Sequence, residues 1–359
     1  MFDDPWILWV VFNSVVFALL VGDLVLFHRR PREMPMREAL TWSAFWISLG
    51  LGFTGFIYWH YGAQFDPTAA AELGAVDDAH RKIGTLTGRG AAMLYLGGYL
   101  IELSLSVDNL FVFLIIFKYF GVATKHQHRV LFWGIVGAVV LRATMILAGV
   151  AAIERFHWLI YILGGFLVFT GAKLALQKSD DHVSPDQNLI LRLARRVLPV
   201  STAPHEGHFF IREEGRLRAT SLLLVLLVVE STDVVFAVDS IPAILGITQD
   251  PFIAYSSNLL AILGLRAMYF ALAGVMGLFH YLRFGLAAVL VFVGFKMLAP
   301  LVGLPHVPTP VSLTVVATLL GVSILASLIW VKKHGVEEDK AKDLDLPPQP
   351  GAGPDADRS

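Results

Sequence analysis

The chain has no cysteine in its 359 residues. That excludes disulfides and thiolate metal sites, and leaves any bound metal to oxygen or imidazole ligands. Charge is scarce too: Asp, Glu, Lys and Arg make up 16% of the residues, against about 25% in an ordinary soluble domain. The net charge is -1 and no basic stripe interleaved with aromatics occurs, so nucleic acid is not expected as a partner. No Walker A pattern is present, which argues against ATP drive within the chain. Without HExxH or GxSxG, a hydrolase is a poor fit, and no enzymatic role or permanent cofactor is expected. What the chain does have is apolar residues, 56% of the total, with a mean hydropathy of +0.65. This is the composition of an all-α polytopic membrane protein, whose main surroundings are the lipid bilayer.

Runs of about 20 apolar residues mark nine expected spans, near 6–27, 38–60, 91–117, 130–153, 158–176, 220–248, 252–273, 284–304 and 309–331. The first opens after Asp3 and Asp4 rather than a basic segment and is too long for a secretory signal, so it reads as a retained span. With the N-terminus outside, the inner segments carry 20 Lys and Arg and the outer ones four. This bias predicts N-out, C-in. The expected organisation is two leading spans with an outer loop (1–90), a first three-span unit (91–176), a cytoplasmic loop (177–219), a second three-span unit (220–304), a final span (305–334) and a disordered tail (335–359).

The two three-span units repeat their charged residues in order. Glu102 and Asp108 in ELSLSVDN are followed by Arg142 and by Lys173 in FTGAK; Asp233 and Asp239 in DVVFAVDS are followed by Arg266 and by Lys296 in FVGFK. The arginine-to-lysine spacing is 31 residues in the first unit and 30 in the second. Units of three spans enter the membrane from opposite sides. An inverted repeat follows, the arrangement from which many secondary transporters build a midplane site.

An ionisable group in hydrocarbon costs on the order of 3 kcal/mol on insertion scales, so these acids mark a candidate site. Carboxylates six residues apart on one helix lie about 9 Å apart along the axis and about 120° around it. Residues seven apart share a face: Glu102 with Asn109, Asp233 with Ser240, with Glu230 one turn before Asp233. Pro242 removes a donor beside Asp239, so a kink or unwound turn is expected there. Asp108 and Asp239 are expected to meet near the midplane, with Arg142 and Arg266 lining the same cavity. Each arginine should pair with an acid, while Lys173 near a span end can snorkel and Lys296 lies deeper. Asp23 reads either as a solvated span end or as a peripheral ligand, and His126, His128, His205 and His208 as solvated loop residues.

ELSLSVDN, VVESTDVVFAVDSIPA, SSNLLAILGLRAMYFAL at 256–272 and the FxGxK turns resemble the TerC family of integral membrane proteins, over most of residues 6–331. The resemblance implies a family named for tellurium resistance, placed with the LysE-type exporters, whose bacterial members are associated with manganese efflux across the inner membrane. Carried over by position, it marks Glu102, Asp108, Asn109, Glu230, Asp233, Asp239, Ser240, Asn258 and Arg266. Carboxylate, amide and hydroxyl oxygens suit a hard divalent cation such as Mn2+, Mg2+ or Ca2+, and the family points to Mn2+. Carboxylates that bind metal and proton in turn would couple the two. The alternative is a non-transporting scaffold or insertion partner, its acid and arginine pairs locking helices together.

Overall fold

The computed structural model describes residues 5–28, 35–72, 84–176, 199, 201, 207–213, 216–273, 281–304 and 307–334. Its helices are α1 (Pro5–His28), α2 (Met36–Ala63), α3 (Pro67–Glu72), α4 (Gly88–Tyr119), α5 (Thr124–Arg155), α6 (Leu159–Leu176), α7 (Ser221–Leu245), α8 (Pro251–Leu263), α9 (Leu265–Ala273), α10 (Leu282–Leu298), continued by a 3-10 turn (Ala299–Val302), and α11 (Thr309–His334). Among the described residues, seven helices are long and apolar enough to cross a membrane, and α8 with α9, bent by 41°, makes an eighth if counted as one span. The protein is an all-α polytopic membrane protein. The expected segment near 252–273 is therefore a broken helix. The break falls at Gly264, where a Cβ would lie 3.1 Å from that of Trp46.

The helix ends follow local chemistry. Thr87 accepts the Gly90 amide at the start of α4, and Thr220 caps α7. Asp250 accepts the Phe252 and Ile253 amides at the start of α8 and takes the Tyr61 hydroxyl at 2.7 Å, which ties the α7–α8 turn to α2. Such caps satisfy the orphan amides of a first turn. Pro242 lies within α7, which continues to Leu245 without the expected unwound turn. Only one carbonyl, that of Val238, loses its helical donor, and the Gly246 amide closes onto the Pro242 carbonyl at 3.0 Å.

α4 is the centre of the bundle, packing against α2, α7, α8, α9 and α11. Gly97 and Gly98 of α4 approach Ile247 and Ile244 beyond and within the end of α7, while the opposite ends, with Leu110 and Phe113 on α4 and Leu222 and Val225 on α7, share a single apolar core. α4 and α7 thus run antiparallel. α5 and α7 run parallel, since Gly134 meets Val229 and Gly149 meets Leu245.

The most extensive contact joins α6 to α10, and it explains the glycines of the two FxGxK turns. A Cβ on Gly171 would lie 2.8 Å from the Ala287 carbonyl oxygen, and one on Gly294 would lie 2.6 Å from that of Gly164. Each motif glycine lets the other helix's backbone come close, the small-residue packing typical of helices in lipid. The long connection between α6 and α7 carries a feature that the sequence reading did not expect. Phe210–Glu213 and Arg216–Ala219 form an antiparallel hairpin with Phe210 opposite Ala219, held to α5 by Arg129, whose Nη1 donates to the Gly207 carbonyl at 2.5 Å. His126 and His128 at this junction are half-buried rather than solvated; the His128 ring lies 4.2 Å from that of Phe270. Residues 177–198, His205 and the tail lie outside the described residues.

Gly294→Val should lower the unfolding temperature of the detergent-purified protein, with overpacking worth about 1–3 kcal/mol. Gly165→Ala, at a position with open space around it, should leave the melt nearly unchanged.

Candidate functional site

Four helices bring five polar side chains together around the Arg142 guanidinium, whose residue is 1% exposed. Arg142 Nη1 donates to Glu102 Oε1 and, at 3.3 Å, to Ser240 Oγ. Its Nη2 reaches Asp233 Oδ1 at 3.2 Å, and Asn109, with its amide oxygen turned to the guanidinium, accepts from the same nitrogen at 3.3 Å while its own nitrogen donates to the Leu105 carbonyl. Asn258 Nδ2 donates to Glu102 Oε2 at 2.7 Å. The seven-residue pairs expected from the sequence, Glu102 with Asn109 and Asp233 with Ser240, thus face one arginine from antiparallel helices. α8 supplies the amide.

The geometry follows from the local sequence. α4 and α7 each carry an acid and, two turns on, a small polar group on the same face. α5 projects Arg142 between them, and the Ser257 side chain against Gly98 seats α8 closely enough for Asn258 to reach Glu102. All of these residues are buried.

The cluster is incompletely satisfied. Among the described residues, Asp233 Oδ2, Asn258 Oδ1, Ser106 Oγ and Arg142 Nε are buried without a hydrogen-bond partner. Two carboxylates against one guanidinium leave one formal negative charge, and a buried carboxylate oxygen without a donor costs more than the net worth of a hydrogen bond. An oxygen-rich space with excess negative charge is suited to a cation or a proton. Among the described residues no three His, Cys, Asp or Glu side chains are gathered as a metal-binding group. The carboxylates that converge are two, supplemented by amide and hydroxyl oxygens.

The other residues marked by the sequence divide around this centre. Glu102 and Asp233, not Asp108 and Asp239, share the central partner. Asp108 and Asp239 are half-buried. The helical phase explains the difference: six residues beyond Glu102 or Asp233, each aspartate has turned to a neighbouring face. Glu230 is half-buried in a groove between α5 and α7 with Trp133, Val140, Leu141 and Thr144, its carboxylate directly against Gly137. Arg266 is buried on α9, just past the Gly264 break. Lys296 is buried and lines a cavity with Gly97, Thr309 and Ser312, while Lys173 is exposed. Asp23 lies on α1. Ser106, which together with Ser104 reads in the sequence as able to loosen the helix rather than as a site residue, lies buried in an unbroken α4 between Glu102 and Asn109.

Comparison with known proteins yields the following. The profile of the integral membrane protein TerC family matches residues 87–335. A membrane protein of Myxococcus xanthus, STKORF319, is 48% identical over 323 residues, covering 90% of this chain and 92% of its own. Alx of Escherichia coli strain K12, named as a membrane-bound redox modulator, is 45% identical over 326 residues, covering 90% and 95%. A membrane protein of Rickettsia bellii is 36% identical over 324 residues, covering 89% and 97%. No solved structure matches the chain.

Removing one partner of a buried ion pair typically costs about 3–5 kcal/mol. Glu102→Ala should therefore cut the yield and melting temperature of folded protein sharply. Asp108→Asn, outside the hydrogen-bonded cluster, should change both little; fluorescence-detected size exclusion with a thermal ramp measures the two.

Proposed function

This chain belongs to the TerC family of integral membrane proteins, and we propose that it is a secondary transporter that exports a hard divalent cation, Mn2+ foremost, in exchange for protons. The observation that carries this reading is the convergence of Glu102 and Asp233 on a buried centre with open oxygen acceptors at Asp233 Oδ2 and Asn258 Oδ1. Buried acids with unfilled acceptors inside apolar helices are the mark of an ion or proton pathway. Oxygen donors from carboxylate, amide and hydroxyl groups favour a hard cation, and the family resemblance tips the choice to Mn2+ and to outward transport. The ligands would come from Glu102, Asp233, Asn109, Ser240 and Asn258, with Glu230, Asp108 and Asp239 as acids flanking the route. Loss of metal would leave these carboxylates free to take protons for the return step.

The proposed setting is a bacterial inner membrane, with nine spans, the N-terminus outside and the C-terminus in the cytoplasm. Residues 91–176 and 220–304 would be the inverted repeats. The antiparallel pairing of α4 with α7 supports this, as does that of α6 with α10, where Gly164 meets Met297 and Gly171 meets Ala287. Alternating access would then be the rocking of these units around the acid centre. The redox role in the name of the Escherichia coli relative would have to run in this chain without a thiol.

A second reading, a non-transporting membrane scaffold, is favoured by one specific observation: Arg142 ties α4, α5 and α7 together as a structural lock would. Reconstitution separates the two. Purified protein in liposomes with an internal metal-sensing dye should carry Mn2+ and move protons the opposite way. Asp233→Asn and Asp239→Asn should each reduce the flux at least about tenfold, as expected when a charge is lost from a low-dielectric path. Wild-type protein that folds yet moves no Mn2+ favours the scaffold, and flux without proton movement makes the protein a uniporter.

A further inference from the structure

We propose that the cavity between α4, α10 and α11 is a binding site for one small monovalent anion of the chloride class, held by Lys296, Thr309 and Ser312. The site shares no residue with the Arg142 centre and stands whether or not the protein carries a cation. Three observations carry it. The cavity is lined by one ammonium and two hydroxyls, the rest of its lining is apolar or glycine, and none of the lining residues is acidic. Lys296 and Ser312 are 9% and 8% exposed, and Ser312 Oγ is buried without a hydrogen-bond partner among the described residues. The third observation is that α11 begins here. The Ser312 amide closes the first turn onto the Pro308 carbonyl at 3.0 Å, so Thr309 and Ser312 bring the helix N-terminus to the cavity wall.

The chemistry of this lining selects the ligand. An ammonium has three donors and no acceptor, and a hydroxyl turns its hydrogen to whatever accepts it. A Ser or Thr within a helix often satisfies itself on the carbonyl one turn back, as Thr314 does on that of Pro310 at 2.8 Å; Ser312, two residues earlier, does not. Its hydroxyl is left for something in the cavity, and the electrostatics give that something a sign. Lys296 stands in the last turn of α10, where the helix dipole places roughly half a negative charge, and the start of α11 places roughly half a positive one. The two offset each other, and the ammonium sets the sign of the lining. Size narrows the class further. The cavity offers about 20 Å³ to water-sized atoms, above the roughly 10–15 Å³ that one bound water needs and too little for a tetrahedral phosphate or sulfate. A lone water would satisfy Ser312 without answering the sign of the lining; a halide does both, through charge-assisted hydrogen bonds roughly twice as strong as neutral ones. Such an ion bridges α10 and α11 beside Gly97 of α4, whose neighbour Gly98 seats Ser257 of α8. Its occupancy therefore braces the helix that carries Glu102.

Equilibrium binding of radiolabelled chloride to the purified full-length protein tests this, at constant ionic strength with gluconate as the replacing anion so that general screening is held fixed. Wild type should bind a single chloride per chain saturably, and bromide should displace it while sulfate and phosphate do not. Ser312→Ala should weaken binding about tenfold, the loss of one hydrogen bond to a charged group, and Lys296→Gln at least as much. Lys173→Gln, at the exposed lysine of the other FxGxK turn, should leave it unchanged. Chloride should also raise the melting temperature of the wild type, and Ser312→Ala should need about tenfold more chloride for the same shift. No saturable binding by folded wild type would mean that the cavity holds only water, and would overturn the proposal. So would unchanged affinity in Ser312→Ala, which places the ion elsewhere, or an equal loss in Lys173→Gln, which makes binding a response to net charge. If Lys296→Gln does not fold, Ser312→Ala, which removes one oxygen alone, still decides.

Discussion

A guanidinium held between two carboxylates at the centre of an apolar bundle is the interaction on which the rest of the structure turns. Taking such charges from water costs several kcal/mol per ion, and only close, multiple hydrogen bonds offset it. The fold meets that demand from four helices. Glu102 and Asn109 come from α4, Arg142 from α5, Asp233 and Ser240 from α7, and Asn258 from α8. The need to bring these groups within hydrogen-bond distance explains close approaches elsewhere. Gly98 admits Ser257 beside Asn258, and Gly134 and Gly137 let α7 lie along α5. What the cluster does not achieve is full satisfaction, and the open acceptors at Asp233 and Asn258 are where it departs from a purely structural lock.

The two FxGxK segments supply the frame rather than the centre. Gly171 and Gly294 bring α6 and α10 nearly backbone to backbone, and in lipid such dispersion contacts take over the part played by the hydrophobic effect in water. The basic residues beside these glycines point to different fates. Lys173 is exposed, while Lys296 is buried beside α4 and α11. The acids of each motif thus divide into a first member, bound to Arg142, and a second member turned to a neighbouring helix face.

Much of this was legible in the sequence because lipid imposes a strong rule: every backbone polar group must be satisfied within its own helix. The helices α2 to α7, α10 and α11 lie within a few residues of the apolar runs that announced them, with α3 the exception as a short helix between α2 and α4. The seven-residue spacing of acid and small polar group correctly placed Glu102 with Asn109 and Asp233 with Ser240. Spacing within one helix says nothing about rotation relative to a neighbour, which is why Asp108 and Asp239 were expected at the centre that Glu102 and Asp233 occupy. The break at Gly264 was hidden because a single glycine in AILGLR looks like any other small membrane residue. The proline at 242, a louder signal, left α7 unbroken since a lone missing donor costs one carbonyl and not the helix. The hairpin at 210–219 is four residues to a strand and polar on both faces, too short for alternation to reveal it.

The most direct test of the account is to locate a bound cation. Crystals or vitrified samples of the full-length protein prepared with Mn2+ should show metal density beside Glu102 and Asp233, with the open Asp233 Oδ2 turned to the metal. Metal density confined to surface acids, with Arg142 still bound to both carboxylates at saturating Mn2+, would contradict it.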